Sequence, residues 1–181
     1  MDLVKASKRI AYALRHRPDS IGITLAPDGW VAVDDLLTGL ARNGTPLSRN
    51  DLEDVVENND KRRFVIDGDR IRANQGHSVD VDLGLVPVTP PSALYHGTAK
   101  HNLDSIFIDG LVRGTRHHVH LSGDVQTAVK VGARHGVPVV LCVDTASVLA
   151  EGLHFYRSEN GVWLTDHVPA RHLTVFRGHL N

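Results

Sequence analysis

The chain has a single cysteine, so no internal disulfide holds it, and that residue, Cys142, lies within the apolar run Val139-Val140-Leu141-Cys142-Val143. A thiol in such a run reads as a buried, inert packing group. No apolar stretch approaches the roughly 20 residues that a membrane span requires. Met1-Asp2-Leu3-Val4-Lys5 lacks a secretory apolar core. A cytoplasmic protein with no membrane partner is therefore expected. Aromatic residues are scarce at 5%, and neither charge is in excess: 20 Lys and Arg stand against 21 Asp and Glu, for a net charge of −1. Dividing the chain near residue 82 exposes no basic module, with 12 cations against 14 anions before it and 8 against 7 after it. This excludes a chain-wide positive field that would hold a long nucleic acid nonspecifically, so any nucleic-acid contact must be local. What remains is 181 residues, 41% apolar and 23% charged, which suits one ordinary domain or two small ones and excludes fibres and disordered tails. Histidine is the unusual presence: twelve in all, ten of them after residue 90.

Leu3, Ala6, Ile10, Ala13 and Leu14 recur at helical spacing, and Pro18 stops the pattern just after Arg15-His16-Arg17, so the first helix ends in a basic cluster. Residues 21–25 and 30–33 read as short strands joined by Pro27-Asp28-Gly29, after which Asp34 caps a helix closing at Gly44. Ser48-Arg49-Asn50-Asp51 resembles a capping box for a third helix with Leu52, Val55 and Val56 on its apolar face. Residues 63–66 and 70–73, joined by Asp67-Gly68-Asp69, form a hairpin. Helices followed by a hairpin suggest a winged helix. Pro87, Pro90 and Pro91 then mark a connector, giving an organisation of 1–82, 83–93 and 94–181. In the last segment, strands are expected over 94–96, 119–122, 139–144, 153–156, 162–165 and 173–177. Helices are expected near 100–108, 124–134 and 145–151. The fold class is α+β.

Among residues that carry chemistry, Arg15-His16-Arg17, Lys61-Arg62-Arg63, Arg70 and Arg72 place cations on a helix end and a hairpin of one unit, and Arg116 lies in the other. Cations at a helix C-terminus complement its dipole and hairpin charges commonly face water. Arginine forks converging on one anion would instead hold a phosphate bidentately. Tyr95-His96-Gly97-Thr98 ends a strand and opens toward a helix, where backbone amides and a hydroxyl meet a ligand or merely cap a turn. His118 and His120 share a strand face, but a zinc site usually requires three protein ligands, and neither an HExxH helix nor a CxxC pair is present. No metal is expected.

Read together, Leu14-Arg15-His16-Arg17-Pro18, Asp28-Gly29-Trp30-Val31, Lys61-Arg62-Arg63-Phe64, Ile71-Arg72-Ala73-Asn74-Gln75-Gly76-His77-Ser78, Tyr95-His96-Gly97-Thr98, Arg116-His117-His118-Val119-His120-Leu121-Ser122 and Asn160-Gly161-Val162-Trp163-Leu164-Thr165 resemble, in order and over most of the chain, an RNA 2'-phosphotransferase of the KptA type. The resemblance implies an N-terminal winged-helix RNA-binding lobe and a C-terminal ADP-ribosyltransferase-like mixed α/β lobe, with the active site in the cleft between them. It implies NAD consumed as co-substrate, an RNA partner bearing an internal 2'-phosphate as in tRNA splicing or RNA repair, and a monomer. The RNA 2'-phosphate would attack the nicotinamide ribose, and the ribose O2'' would then attack that phosphate. The products would be 2'-hydroxyl RNA, ADP-ribose 1'',2''-cyclic phosphate and nicotinamide. The family's catalytic set transfers to Arg15, His16, Arg63 and Arg116. His96, Gly97 and Thr98, with His120 and Ser122, would hold NAD, and Gln75, Gly76, His77 and Ser78 would lie nearby. Arg113 competes with Arg116, which keeps register with His118-Val119-His120-Leu121-Ser122. Val162 stands where glutamate-dependent ADP-ribosyltransferases carry a carboxylate, a change that suits an acceptor already anionic.

Two alternatives stay open. Glu159, close to Val162, would serve a mono-ADP-ribosyltransferase acting on protein or nucleic-acid termini if the strand register shifts. A winged-helix module whose second unit only senses NAD is the other, although Asp51, Glu53, Asp54 and Glu57 on the candidate reading helix disfavour DNA binding there.

Overall fold

A computed structural model describes residues 2–178. The secondary structure is mixed α and β, and the backbone divides into two units, Met1–Gly84 and Leu85–Asn181, each around its own hydrophobic core. Proline-rich residues 85–92 are tied to the second unit. Val88 N–H donates to the Phe155 carbonyl at 2.8 Å, and the Thr145 hydroxyl donates to the Pro91 carbonyl at 2.5 Å.

In the first unit, α1 (Leu3–Arg15) starts at Asp2, whose carboxylate accepts the Lys5 amide, and buries Ala6, Ile10, Ala13 and Leu14 along one stripe. No strand forms over residues 21–25. Pro18 instead opens a 3-10 turn, Pro18–Ile21, and Gly22 turns the chain with a left-handed φ of 72°. The Ile23 amide is taken by the Pro18 carbonyl, and Ile21 crosses Gly39, where an added Cβ would meet the Ile21 carbonyl at 2.5 Å. Packing on a helix, not strand pairing, uses this segment. β1 is only Val31–Ala32, and α2 (Val33–Arg42) begins ahead of the expected Asp34 cap, with Ala32 as its N-cap. Asp34 and Asp35 occupy the first turn, where they complement the helix dipole.

The expected capping box forms. Ser48 Oγ accepts the Asp51 amide at 3.1 Å and the Asp51 carboxylate accepts the Ser48 amide at 2.8 Å, opening α3 (Arg49–Glu57). β2 (Phe64–Asp67) and β3 (Arg70–Ala73) pair as a hairpin, and β1 adds to β3 in an antiparallel sheet of order β1-β3-β2. Phe64, Ile71 and Ala73 join Ile10, Leu14, Leu36, Leu40 and Leu52 in one buried cluster. Each large side chain there contributes about 1.5–3 kcal/mol by leaving water.

The second unit contains β4 (Ala93–Ala99), α4 (Leu103–Asp109), β5 (Leu111–Val112), β6 (Val119–Leu121), α5 (Val125–Gly132), β7 (Pro138–Asp144), α6 (Thr145–Ala150), β8 (Phe155–Arg157), β9 (Trp163–Thr165), β10 (His167–Val168) and β11 (Leu173–Val175). Two antiparallel sheets, β11-β7-β4 and β6-β9-β8, meet where Tyr95 and Ser122 exchange backbone hydrogen bonds of 2.9 and 2.7 Å. β5 and β10 form a further pair, too short for sequence periodicity to show. Cys142 is half-buried on the central strand β7 rather than fully buried, and burial still pushes its thiol pKa up.

Tyr95-His96-Gly97-Thr98 closes strand β4, one residue before its end at Ala99, and stays paired with β7 throughout, with a 3-10 turn and then α4 following. The glycine has a steric cause. A Cβ on Gly97 would fall 1.7 Å from the Ala128 carbonyl oxygen of α5, and one on Gly132 would fall 2.7 Å from the Thr98 carbonyl oxygen. Helix and strand touch backbone to backbone through this glycine pair. Gly97→Ala is therefore expected to lower stability by about 3 kcal/mol or more. A urea unfolding midpoint equal to that of the wild type would refute this contact.

Candidate active site

Arg15 is the last residue of α1 and His16 its C-cap. Helix ends leave carbonyls without intrahelical partners. Here the Arg15 carbonyl accepts the Ser78 amide at 2.8 Å and the Val79 amide at 3.4 Å, while Ser78 Oγ lies 2.9 Å from His16 Nδ1. The Gln75-Gly76-His77-Ser78 loop, which bends at Gly76 with φ 87°, thus belongs to the first unit and orients His16. His77 is only 2% exposed and packs beside Gly29, so it is a structural member of this loop.

Arg63 approaches α1 from the other direction. Its Nη1 donates to Ser7 Oγ at 3.2 Å and to Asn59 Oδ1 at 3.4 Å, and Asn59 Nδ2 donates to Ser7 Oγ at 2.8 Å. The turn before Arg63 is held tightly: Arg62 has a left-handed φ of 40°, and Asn74 Nδ2 donates to its carbonyl at 2.6 Å. Sequence reasoning missed Ser7, Asn59 and Asn74, each at most 8% exposed. A signal existed only for Ser7, a hydroxyl lying three residues before Ile10 and seven before Leu14 on the buried stripe. The cations expected in one cluster do not all gather. Arg17 pairs with exposed Asp19 at 2.9 Å, and Arg70 and Arg72 lie against Trp30.

In the second unit His96, His120 and Ser122 lie at the seam between the two sheets, and His96 Nδ1 donates to the His120 carbonyl at 3.0 Å. Arg116 Nη1 donates to His120 Nδ1 at 3.2 Å, whereas Arg113 Nη1 turns to the His117 carbonyl at 3.3 Å. Of the two arginines, Arg116 is the one joined to the histidine strand. Thr98 is 5% exposed and its hydroxyl accepts Asn102 Nδ2 at 3.3 Å, so with Gly97 it serves packing at this strand. Val162 lies just before β9, its amide on Ser158 Oγ at 3.1 Å, and Glu159 is on the exposed part of the same loop. Among the described residues no three His, Cys, Asp or Glu side chains are grouped to hold a metal, and no helix is long and apolar enough to cross a membrane.

Burial lowers the His96 pKa from its ordinary 6.5, against a smaller opposing effect of its bond to His120. His118 moves the same way through burial, with Asp166 opposing. A neutral His96 that donates from Nδ1 keeps an acceptor lone pair on Nε2. Because the folded pKa is depressed, this histidine's contribution to stability is present above pH 6.5 and is lost as pH falls through the folded value. Thermal unfolding of wild type and His96→Gln should diverge between pH 7 and about pH 5, with the wild type losing more on acidification. Parallel pH profiles would contradict a buried neutral His96.

Comparison with known proteins agrees over nearly the whole chain. The model of the RNA 2'-phosphotransferase, Tpt1 / KptA family matches residues 1–167. Probable RNA 2'-phosphotransferases are similar to this chain: that of Nostoc punctiforme is 57% identical, covering 94% of this chain and 96% of its own length. That of Agrobacterium fabrum is 54% identical over 93% and 92%, and that of Streptomyces coelicolor 52% identical over 94% and 93%. Motif order, a held Arg-His pair at a helix end and this similarity together establish that the chain belongs to the Tpt1 / KptA family of RNA 2'-phosphotransferases.

Proposed function

We propose that this protein is an NAD-dependent transferase that removes an internal 2'-phosphate from RNA. The single observation that carries the reading is the fixed end of α1, where the Ser78 loop binds the Arg15 carbonyl and orients the His16 ring, while two turns earlier on the same helix Ser7, with Asn59, receives Arg63. Two guanidinium groups and an imidazole on one rigid scaffold suit a phosphate dianion. Preorganised cations stabilise charge gathering on phosphoryl oxygens without having to reorient. We read the first unit as a winged-helix RNA lobe and the second as an ADP-ribosyltransferase-like lobe.

In the proposed reaction an oxygen of the RNA 2'-phosphate forms a bond to C1'' of the nicotinamide ribose, and nicotinamide leaves with the electrons of the glycosidic bond. A phosphate is already anionic and needs no general base, consistent with Val162 rather than a carboxylate before β9. Next O2'' attacks the phosphorus and loses its proton, while the RNA 2'-oxygen departs and gains one. ADP-ribose 1'',2''-cyclic phosphate and 2'-hydroxyl RNA result. Arg15 and Arg63 neutralise the phosphoryl oxygens, and His16 donates a proton or hydrogen bond at the departing oxygen. Arg116 is assigned as the fourth member of this set by resemblance.

The second unit's donor set fits a dinucleotide. The Nε2 lone pair of neutral His96 is suited to accept a ribose hydroxyl, and His120 and Ser122 stand beside it at the seam. Gly97 and Thr98 shape that surface from behind.

Mass analysis of the products from NAD and a short RNA bearing an internal 2'-phosphate should show nicotinamide and dephosphorylated RNA. Nicotinamide release with the phosphate retained would instead point to a mono-ADP-ribosyltransferase. Arg15→Ala, His16→Ala and Arg63→Ala should each slow the second step by about 100-fold or more and accumulate ADP-ribosylated RNA. Unchanged turnover in folded variants would reject this site.

A further inference from the structure

Arg70 and Arg72 are left over from the cation cluster, and their placement is specific. Val31 pairs with Ile71 and Ala32 with Arg70, which sets Trp30 beside Arg72 across the β1-β3 ladder. Ile71 and Ala73 point into the core, so Arg70 and Arg72 share the outer face of the sheet with Val65 and Asp67, their partners on β2. Both guanidinium carbons lie over the Trp30 ring, 4.9 and 4.8 Å from its centroid. Trp30 is only partly buried and Arg70 is exposed. Arg72 Nη1 donates to the Asp28 carbonyl at 3.3 Å, and Arg70 Nη2 donates to Asp67 at 3.2 Å. The outer face is a partly open aromatic and guanidinium stack whose two arginines are set against the Asp67 carboxylate and that of Asp28, 3.5 Å from the Trp30 amide.

Helix α3 is less hospitable to RNA. α3 carries Asp51, Glu53, Asp54 and Glu57, and its Arg49 is occupied by Glu53, Asp69 and the Gly68 carbonyl. The stack is also structurally continuous with the candidate phosphate site. The Pro27 carbonyl accepts the Asp82 amide at 2.8 Å, and Gly29 lies against His77. One residue beyond His77, Ser78 holds Arg15 and His16. A single loop therefore supports both the Trp30 turn and the end of α1.

We propose that Trp30, Arg70 and Arg72 form a stacking platform for a nucleobase of single-stranded RNA flanking the 2'-phosphorylated nucleotide. The proposal rests on the RNA 2'-phosphotransferase reading for the identity of the strand. Indole and guanidinium planes accept any base face, so stacking rather than charge carries the contact. The platform positions RNA with little base preference, and Trp30 is a binding rather than a catalytic residue.

The test measures binding by fluorescence anisotropy, with six-nucleotide RNAs bearing a central 2'-phosphate and either normal or abasic flanking nucleotides. Wild type should bind the base-bearing RNA about 10-fold more tightly than the abasic one. Trp30→Leu and Arg70→Gln should erase most of that preference while leaving abasic binding little changed. Arg70→Gln alters an exposed side chain and guards against a folding artefact. An equal ratio in wild type and both variants would overturn the platform, as would losses of the same size on both RNAs, which indicate a merely structural stack. Nicotinamide release by the wild type is read in parallel with NAD. Base preference without release keeps the platform and sinks the phosphotransferase reading, whereas release without base preference does the reverse.

Discussion

The hydrogen bond from the Ser78 amide to the Arg15 carbonyl fixes the end of α1, on which the proposed chemistry of the first unit depends. A helix C-terminus offers carbonyls that need donors and a dipole that favours cations, and α1 ends with Arg15 followed by His16. Left alone, that turn would fray. The chain returns more than sixty positions later to bind it with backbone and side chain of the same serine. His16 is thereby oriented by a group that does not compete with it for a proton at neutral pH. Arg63 reaches the same helix two turns earlier through Ser7, so one rigid rod sets the relation between imidazole and guanidinium groups.

In the second unit the comparable constraint is the absence of two β-carbons. Gly97 and Gly132 let α5 press its backbone onto β4, close to where β4 meets β6. Strand β4 is thus clamped by β7 along one edge and by α5 across one face. His96, two residues before the strand's buried Thr98, is half-buried with its Nδ1 proton committed to a carbonyl. Its neutral state follows from packing, not from a neighbouring charge. The glycine in this motif is a packing requirement.

Legibility in the sequence tracked the range of the interaction. The stripe of α1, the Ser48 capping box and the β2-β3 hairpin depend on residues within a few positions of each other, and all three are where their spacing placed them. Residues 21–25 look like a strand because Ile21, Ile23 and Leu25 alternate. The local chemistry of Pro18 and Gly22, together with the notch at Gly39, wins over alternation. Tyr95-His96-Gly97-Thr98 is legible as the close of a strand, but the close helix contact that requires its glycine is not. Asn59 and Asn74 are silent because a buried polar side chain declares itself only through a distant partner, and Ser7 shows only as a hydroxyl on a buried stripe. His16 and Arg63 are legible through resemblance, while the contacts that aim them are legible only in three dimensions.

The near-zero net charge follows from the same economy of local contacts. A protein that tracks a long backbone spreads cations along a groove, and its affinity collapses as salt rises. Here several arginines of the first unit are committed to near neighbours. Arg17 and Arg49 are neutralised by acids, Arg63 is braced on Ser7 and Asn59, and Arg70 and Arg72 lie over an indole. Phosphate recognition that relies on orientation needs few charges, provided each is braced. The acidic α3 offers no such cations beyond Arg49, so in the proposed reading the helix end and the hairpin face are where the strand gains from contact.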